Sequence, residues 1–106
     1  MDVTTTESLP GRRVVAVMGV AVGSTVRSKN IGKDIGAGLK SLVGGELKSY
    51  TDMLVEARGQ ALSRMEAYAV QLGADSVVNL RFMTSAVASG ASEILAYGTA
   101  VTTEPT

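Results

Sequence analysis

From Val14 to Val22 the chain reads VVAVMGVAV, nine residues that are all apolar or glycine. Valine dominates, and β-branched side chains suit a pleated strand better than a helix. Gly19 and Gly23 would weaken a helix further. A strand apolar on both faces expects cover on both faces. The chain must therefore bury both sides of a sheet, either with its own elements or with a second molecule.

The flanking sequence supplies the other elements. VTTTESLPGRR predicts a short edge strand over Val3–Thr6 and a turn at Pro10–Gly11. Residues 30–43 read as a short helix, with Asn30 as N-cap and Ile35, Leu39 and Leu42 on one face. Gly32, Gly36 and Gly38 are costly in a helix and fit where a neighbour packs very close. Gly44–Gly45 separates this helix from a longer one. There Leu47, Tyr50, Leu54, Ala57, Ala61, Met65, Tyr68 and Leu72 recur every three or four residues, with Met53, Leu62 and Ala69 widening the stripe. Glu46 and Asp52 suit the positive end of its dipole, and Gly73 stands where a left-handed residue closes a helix.

Two strands follow. SVVNLRFMTSAVA places Val78, Leu80, Phe82 and Ala86 on one face, with Asn79, Arg81, Met83 and Ser85 on the other. SGAS at 89–92 reads as the hairpin loop. EILAYGTAVTT sets Leu95, Tyr97, Thr99 and Val101 against a small-residue face of Ile94, Ala96, Gly98 and Ala100. Residues 101–106 read as a fraying tail. The whole is an α+β chain with an antiparallel sheet packed on one long helix plus a short one. That helix covers one face of the sheet and leaves a face of valines and small side chains without an intramolecular partner. Burial is worth about 25 cal/mol per Å² of apolar surface, so self-association is the expected remedy.

Composition narrows the functions. At 106 residues the chain fits one domain, 1–106. Ten basic residues balance ten acidic ones, which argues against nucleic acid as a partner. There is no Cys and no His, so disulfides, thiolate nucleophiles and histidine acid/base chemistry are excluded. The absence of Cys fits the cytoplasm. MDVTTTESLPGRR, with acids before bases, does not read as a signal peptide, and no apolar run has the length to span a bilayer.

No segment carries a recognisable catalytic spacing. GAGLKS (36–41) offers Lys40–Ser41, but Leu39 and Asp34 stand where a phosphate loop requires glycine. SGAS lacks the G-x-S-x-G pattern of a nucleophile elbow. Asp52 and Glu56, four apart on the long helix, share a face and are the metal candidates, for a hard cation with oxygen ligands. Met53 and Met65 sit at core positions, where filling space is their expected role. Arg27, Asn30 and Asp34 follow the valine strand at the end of the sheet. They are candidates for rimming a pocket or locking a subunit contact.

Three blocks in order carry a family likeness: VRSKNIGKDIGAGLKSLVGGELKSYTDMLVEAR, LGADSVVNLRF and EILAYGTAV. Together they resemble the YbjQ family, also called UPF0145, from about Thr5 to Val101. The resemblance implies a two-layer dodecin-like subunit assembled as a homopentameric ring, with a heavy-metal-binding designation and no established catalytic residue. Glu46 and Tyr50, in the VGGELKSYT block, join Arg27, Asn30 and Asp34 as ligand-binding or interface candidates. A metal ion is the one cofactor implied, since no organic cofactor motif is present. The expectation is a non-enzymatic homo-oligomeric module, either binding a small ligand or metal between subunits or serving as a structural scaffold. The alternative is an enzyme using carboxylate, Lys or Tyr groups at such a boundary.

Overall fold

The computed structural model describes residues 1–28, 45–88 and 90–106. Its elements are β1 (Asp2–Val3), β2 (Arg12–Ser28), α1 (Gly45–Gln71), β3 (Ser76–Ala88) and β4 (Ala91–Pro105). The four strands form one sheet in the order β1-β3-β4-β2. The short helix expected over 30–43 lies outside the described residues.

The sheet is mixed, where an antiparallel one was expected. β2 and β3 both run antiparallel to β4, but β1 pairs with β3 in parallel. β1 is also shorter than the Val3–Thr6 strand the β-branched run suggests. The cause is a bulge in β3, where Asn79 adopts φ 56° and the register to β4 shifts by one residue between Val78 and Arg81. Past Val3 the regular ladder gives way to Asn79 N–H donating to Thr6 O at 2.9 Å and Leu80 N–H to Thr4 O at 2.9 Å. The bulge also breaks the predicted alternation. Val77, Val78 and Leu80 are all buried, while Phe82 is left 43% exposed.

α1 lies across β2 and β4 and buries Ala57, Ala61, Met65 and Ala69, a run of steps of four. Leu54, Leu62 and Leu72 pack beside them, half-buried. Tyr68, expected on this stripe, is exposed. The buried line follows i+4 and so drifts about 40° per step, which carries it through Ala69 and away from position 68.

Small residues fix the spacing of the two layers. A Cβ built on Gly23 would overlap the backbone N of Met65 and the carbonyl O of Ala61, and would come within 2.7 Å of Arg64 C. The helix backbone therefore rests directly on the strand backbone. Arg64 Nη1 reinforces the contact by donating to Ser24 O at 2.7 Å. The sheet surface beneath is Ala21, Ala96 and Ala100, with Ile94, Val77 and Leu80 at its margins. The small-residue face of β4 is thus the covered one, contrary to the expectation that it lacks a partner. Close approach needs small side chains, so the helix selects that face. The valine-rich face is the one left over: Val20 and Val26 are 63% and 57% exposed, and Met83, beside Leu95, is 54% exposed.

Both ends of the helix exit are tightly specified. Gly73 adopts φ 84°, Gly73 N–H donates to Val70 O at 3.0 Å and Ala74 N–H to Ala69 O at 3.1 Å. This is the paired-bond closure expected of a left-handed glycine after a helix. At the other end of β4 the residues expected to form a fraying tail are paired with β2 as far as Pro105. Arg12 pairs with Pro105 and Arg13 with Glu104, whose side chains form an ion pair, and Thr106 N–H donates to Gly11 O at 3.1 Å. The long β2 gives residues 102–105 a ladder partner.

The chain extends 56 × 24 × 16 Å with a radius of gyration of 17.4 Å, against about 13 Å for a compact chain of this length. Among the described residues no helix is long and apolar enough to cross a membrane.

Two glycines make opposite predictions. Gly23→Ala forces helix and strand backbones apart and is expected to cost roughly 2–3 kcal/mol in urea unfolding. Gly59, within α1 with open space around it, should instead gain about 0.5–1 kcal/mol as Gly59→Ala.

Candidate functional site

Two polar clusters flank the apolar contact, one at each end. The first forms where β2 passes beside the middle of α1. Thr25 and Arg27 are two apart on β2 and so share a face; Glu56 and Gln60 are four apart on α1 and share a face. Packing the helix on Gly23 brings these pairs together. The buried Thr25 donates through Oγ1 to Gln60 Oε1 at 2.7 Å. Arg27 Nη2 donates to the same oxygen at 3.1 Å and lies 3.5 Å from Glu56 Oε1. The Gln60 carbonyl oxygen thus accepts from both β2 side chains. The Arg27 Nε is buried and has no partner among the described residues.

Of the residues singled out in the sequence, the fold unites Arg27 with Glu56. Asn30 and Asp34 lie outside the described residues. Glu46 and Tyr50 fall in the first turns of α1, upstream of this cluster, and their side chains are likewise outside the description. Asp52 is exposed one turn before Glu56. Glu56 is directed to Arg27, so the cation already beside it is a guanidinium. Among the described residues no group of three or more carboxylates converges as a metal cage would require. Thr25 and Gln60 were not read from the sequence. Their signal is present in the period-two spacing from Arg27 and the period-four spacing from Glu56, but it has meaning only once the two faces are known to meet.

The second cluster sits at the helix exit. Asp75 Oδ2 accepts Thr103 N–H at 2.9 Å, and Oδ1 accepts Ser76 Oγ at 2.8 Å and Thr103 Oγ1 at 2.9 Å. Arg12 Nε donates to Thr103 Oγ1 at 2.6 Å and Nη2 to Thr103 O at 3.2 Å. The Asp75 N–H donates to Val101 O at 3.0 Å. One carboxylate thus ties the start of β3 to β4, and through Thr103 to β2. The Thr103 N–H and the Ser76 hydroxyl hold the Asp75 carboxyl below its ordinary range against the opposing effect of burial, with the Thr103 hydroxyl and the Arg12 charge adding to the lowering. Every ligand of this carboxylate is a backbone or side-chain group of the fold itself, so the cluster is a structural clasp.

Comparison with known proteins places these features in a family. The YbjQ family profile, described as "Putative heavy-metal-binding", matches residues 1–104. A UPF0145 protein of Shewanella frigidimarina is 54% identical over 105 residues, covering 99% of this chain and 98% of that one. A UPF0145 protein of Archaeoglobus fulgidus is 59% identical over 99 residues, covering 93% and 92%. A crystal structure of a DUF74-family protein of unknown function from Pediococcus pentosaceus is similar with TM-score 0.66 at 16% identity, covering 98% of both chains. That similarity supports the fold.

The clasp gives a signed pH dependence. The folded-state carboxyl of Asp75 is lowered relative to the unfolded chain. Its contribution is therefore complete above the unfolded pKa, near 3.8, and is lost as pH falls through the folded value. Asp75→Asn is expected to lower the urea midpoint at pH 7. The difference from the unmodified protein should then shrink as the pH falls below 4, measured by urea titrations across the acid range.

Proposed function

Because the chain belongs to the YbjQ (UPF0145) family, we propose that it is a non-enzymatic homo-oligomeric module. In this reading it assembles as a dodecin-like ring of five subunits in the cytoplasm and holds a small ligand at polar pockets where subunits meet. The observation that carries the reading is the valine-rich outer face of the sheet. Val20, Val22 and Val26 of β2 lie beside Thr99, Tyr97 and Glu93 of β4, and Met83 of β3 lies beside Leu95. Burying one large apolar side chain is worth about 1.5–3 kcal/mol. Several together offset the roughly 4–15 kcal/mol lost on association. The elongated shape supports the same reading, since among the described residues the one helix covers only part of the 56 Å length.

The Arg27 cluster is the candidate for the ligand pocket. It presents a guanidinium whose buried Nε has no partner among the described residues, with a carboxamide and one carboxylate beside it. That set suits a polar or anionic group better than a cation. The family's heavy-metal designation finds no thiolate or imidazole in this chain, and the residues present do not fit a soft metal. Metal binding, where it occurs, would use the oxygens of Asp52 and Glu56 and favour a hard cation.

Native mass spectrometry of protein purified without chelator tests the reading. The expected result is a single species at about five times the subunit mass of 10.9 kDa, carrying a reproducible additional mass. A folded monomer at all concentrations would overturn it. Arg27→Gln is expected to keep the assembly and lose the additional mass; dissociation to monomers would assign Arg27 to the subunit contact instead.

A further inference from the structure

The run VTTTES predicts a strand over Val3–Thr6, yet only Asp2 and Val3 join the sheet as β1. Residues 4–8 are shaped by their own hydroxyls instead. Thr6 N–H donates to Thr4 Oγ1 at 3.1 Å, and Thr6 Oγ1 donates to Ser8 O at 2.7 Å. Because the one hydroxyl proton of Thr6 goes to Ser8, Thr4 Oγ1 is the donor in the 2.7 Å pair between the two threonines. The carbonyls of this curled segment are taken by β3. Leu80 N–H donates to Thr4 O at 2.9 Å, Arg81 Nη1 to Thr5 O at 2.9 Å and Asn79 N–H to Thr6 O at 2.9 Å.

Three successive residues of β3 thus hold three successive residues of the N-terminal segment. A regular strand could not do this, because its successive N–H groups point to opposite sides. The left-handed backbone of Asn79, at φ 56°, turns its own N–H and that of Leu80 to the same side. Arg81 supplies the third donor from its side chain. Its Nη1 also donates to Leu80 O at 2.8 Å, so one charged nitrogen ties the segment to the strand. Thr5, Thr6, Glu7 and Ser8 are all exposed. The segment therefore buries little apolar surface of its own, and polar bonds carry its hold on the sheet. Such regions open at the low end of a protein's stability range.

We propose that residues 4–8 are a strap that opens and closes as a unit on the margin of the sheet, with Arg81 as its latch, while the helix stays seated on Gly23. Opening bares the adjacent N–H groups of Asn79 and Leu80 and leaves the bulge without its acceptors. The proposal is independent of the oligomeric reading. Hydrogen exchange read amide by amide on the full chain tests it. In the unmodified protein the Asn79 and Leu80 amides should exchange at rates that low urea leaves unchanged, because a local opening exposes little surface. Amides of Ala61–Met65 should exchange more slowly and respond to urea. Arg81→Gln should speed the Asn79 and Leu80 amides about tenfold, as for loss of a hydrogen bond from a charged donor, and leave Ala61–Met65 unchanged. Asn79→Gly, which permits the same left-handed backbone, should keep the protection. Equal acceleration at Ala61–Met65 in Arg81→Gln would make Arg81 a general stabiliser and overturn the proposal. Unchanged exchange at Asn79 and Leu80 in that variant would overturn it too, as would urea dependence of those amides matching that of the helix in the unmodified chain.

Discussion

Everything in this subunit is arranged around one contact between two backbones, the helix at Ala61–Met65 lying on Gly23. A side chain at position 23 would hold the layers apart, and the alanines at 21, 57, 61, 69, 96 and 100 would then face a gap. With glycine there, the layers close and the small side chains suffice to fill the space. The same approach sets the polar chemistry. It brings Thr25 and Arg27 within reach of Gln60 and Glu56, and it places Arg64 where it can bond Ser24.

The close contact also decides which surface remains for a partner. A helix that prefers the small side of the sheet leaves the branched side bare. In the proposed reading, recognition between subunits falls to the valines of that side, and recognition of a ligand to the polar residues at the end of the layer. The two roles are separated in space but not in cause. The bulge at Asn79 contributes in a similar way. It tucks Val77, Val78 and Leu80 into the subunit near β1, and beyond it Arg81–Ala88 is exposed.

Periodicity revealed much of this frame. The valine run, the long helix with its line through Ala57, Ala61 and Met65, the glycine after it and the final hairpin all follow from local pattern and turn chemistry. What stayed hidden depends on how distant pieces meet. Nothing near Gly23 in the chain marks it as the point of contact with a helix some forty residues on. The facing of β4 was misassigned because alternation identifies two faces without saying which one the helix selects. Asn79 looked like an ordinary strand residue, since only its neighbours across the sheet require the left-handed backbone. Asp75 drew no notice within LGADS because its value lies in reaching Thr103, far along the chain. The Arg27 site was legible by one residue from each of two elements, and its other members appeared only with the packing.

A core made so largely of alanine has a thermal consequence. Methyl groups and close-laid backbone bury less apolar surface than leucines and phenylalanines of the same number. Apolar exposure is what gives unfolding its large positive heat-capacity change, while polar exposure reduces it. The isolated subunit should therefore unfold with a heat-capacity increment below the usual 12–15 cal/mol/K per residue or so. Its free energy would vary gently with temperature along a shallow, broad dome, and cold would weaken it less than it weakens a chain with a bulkier interior.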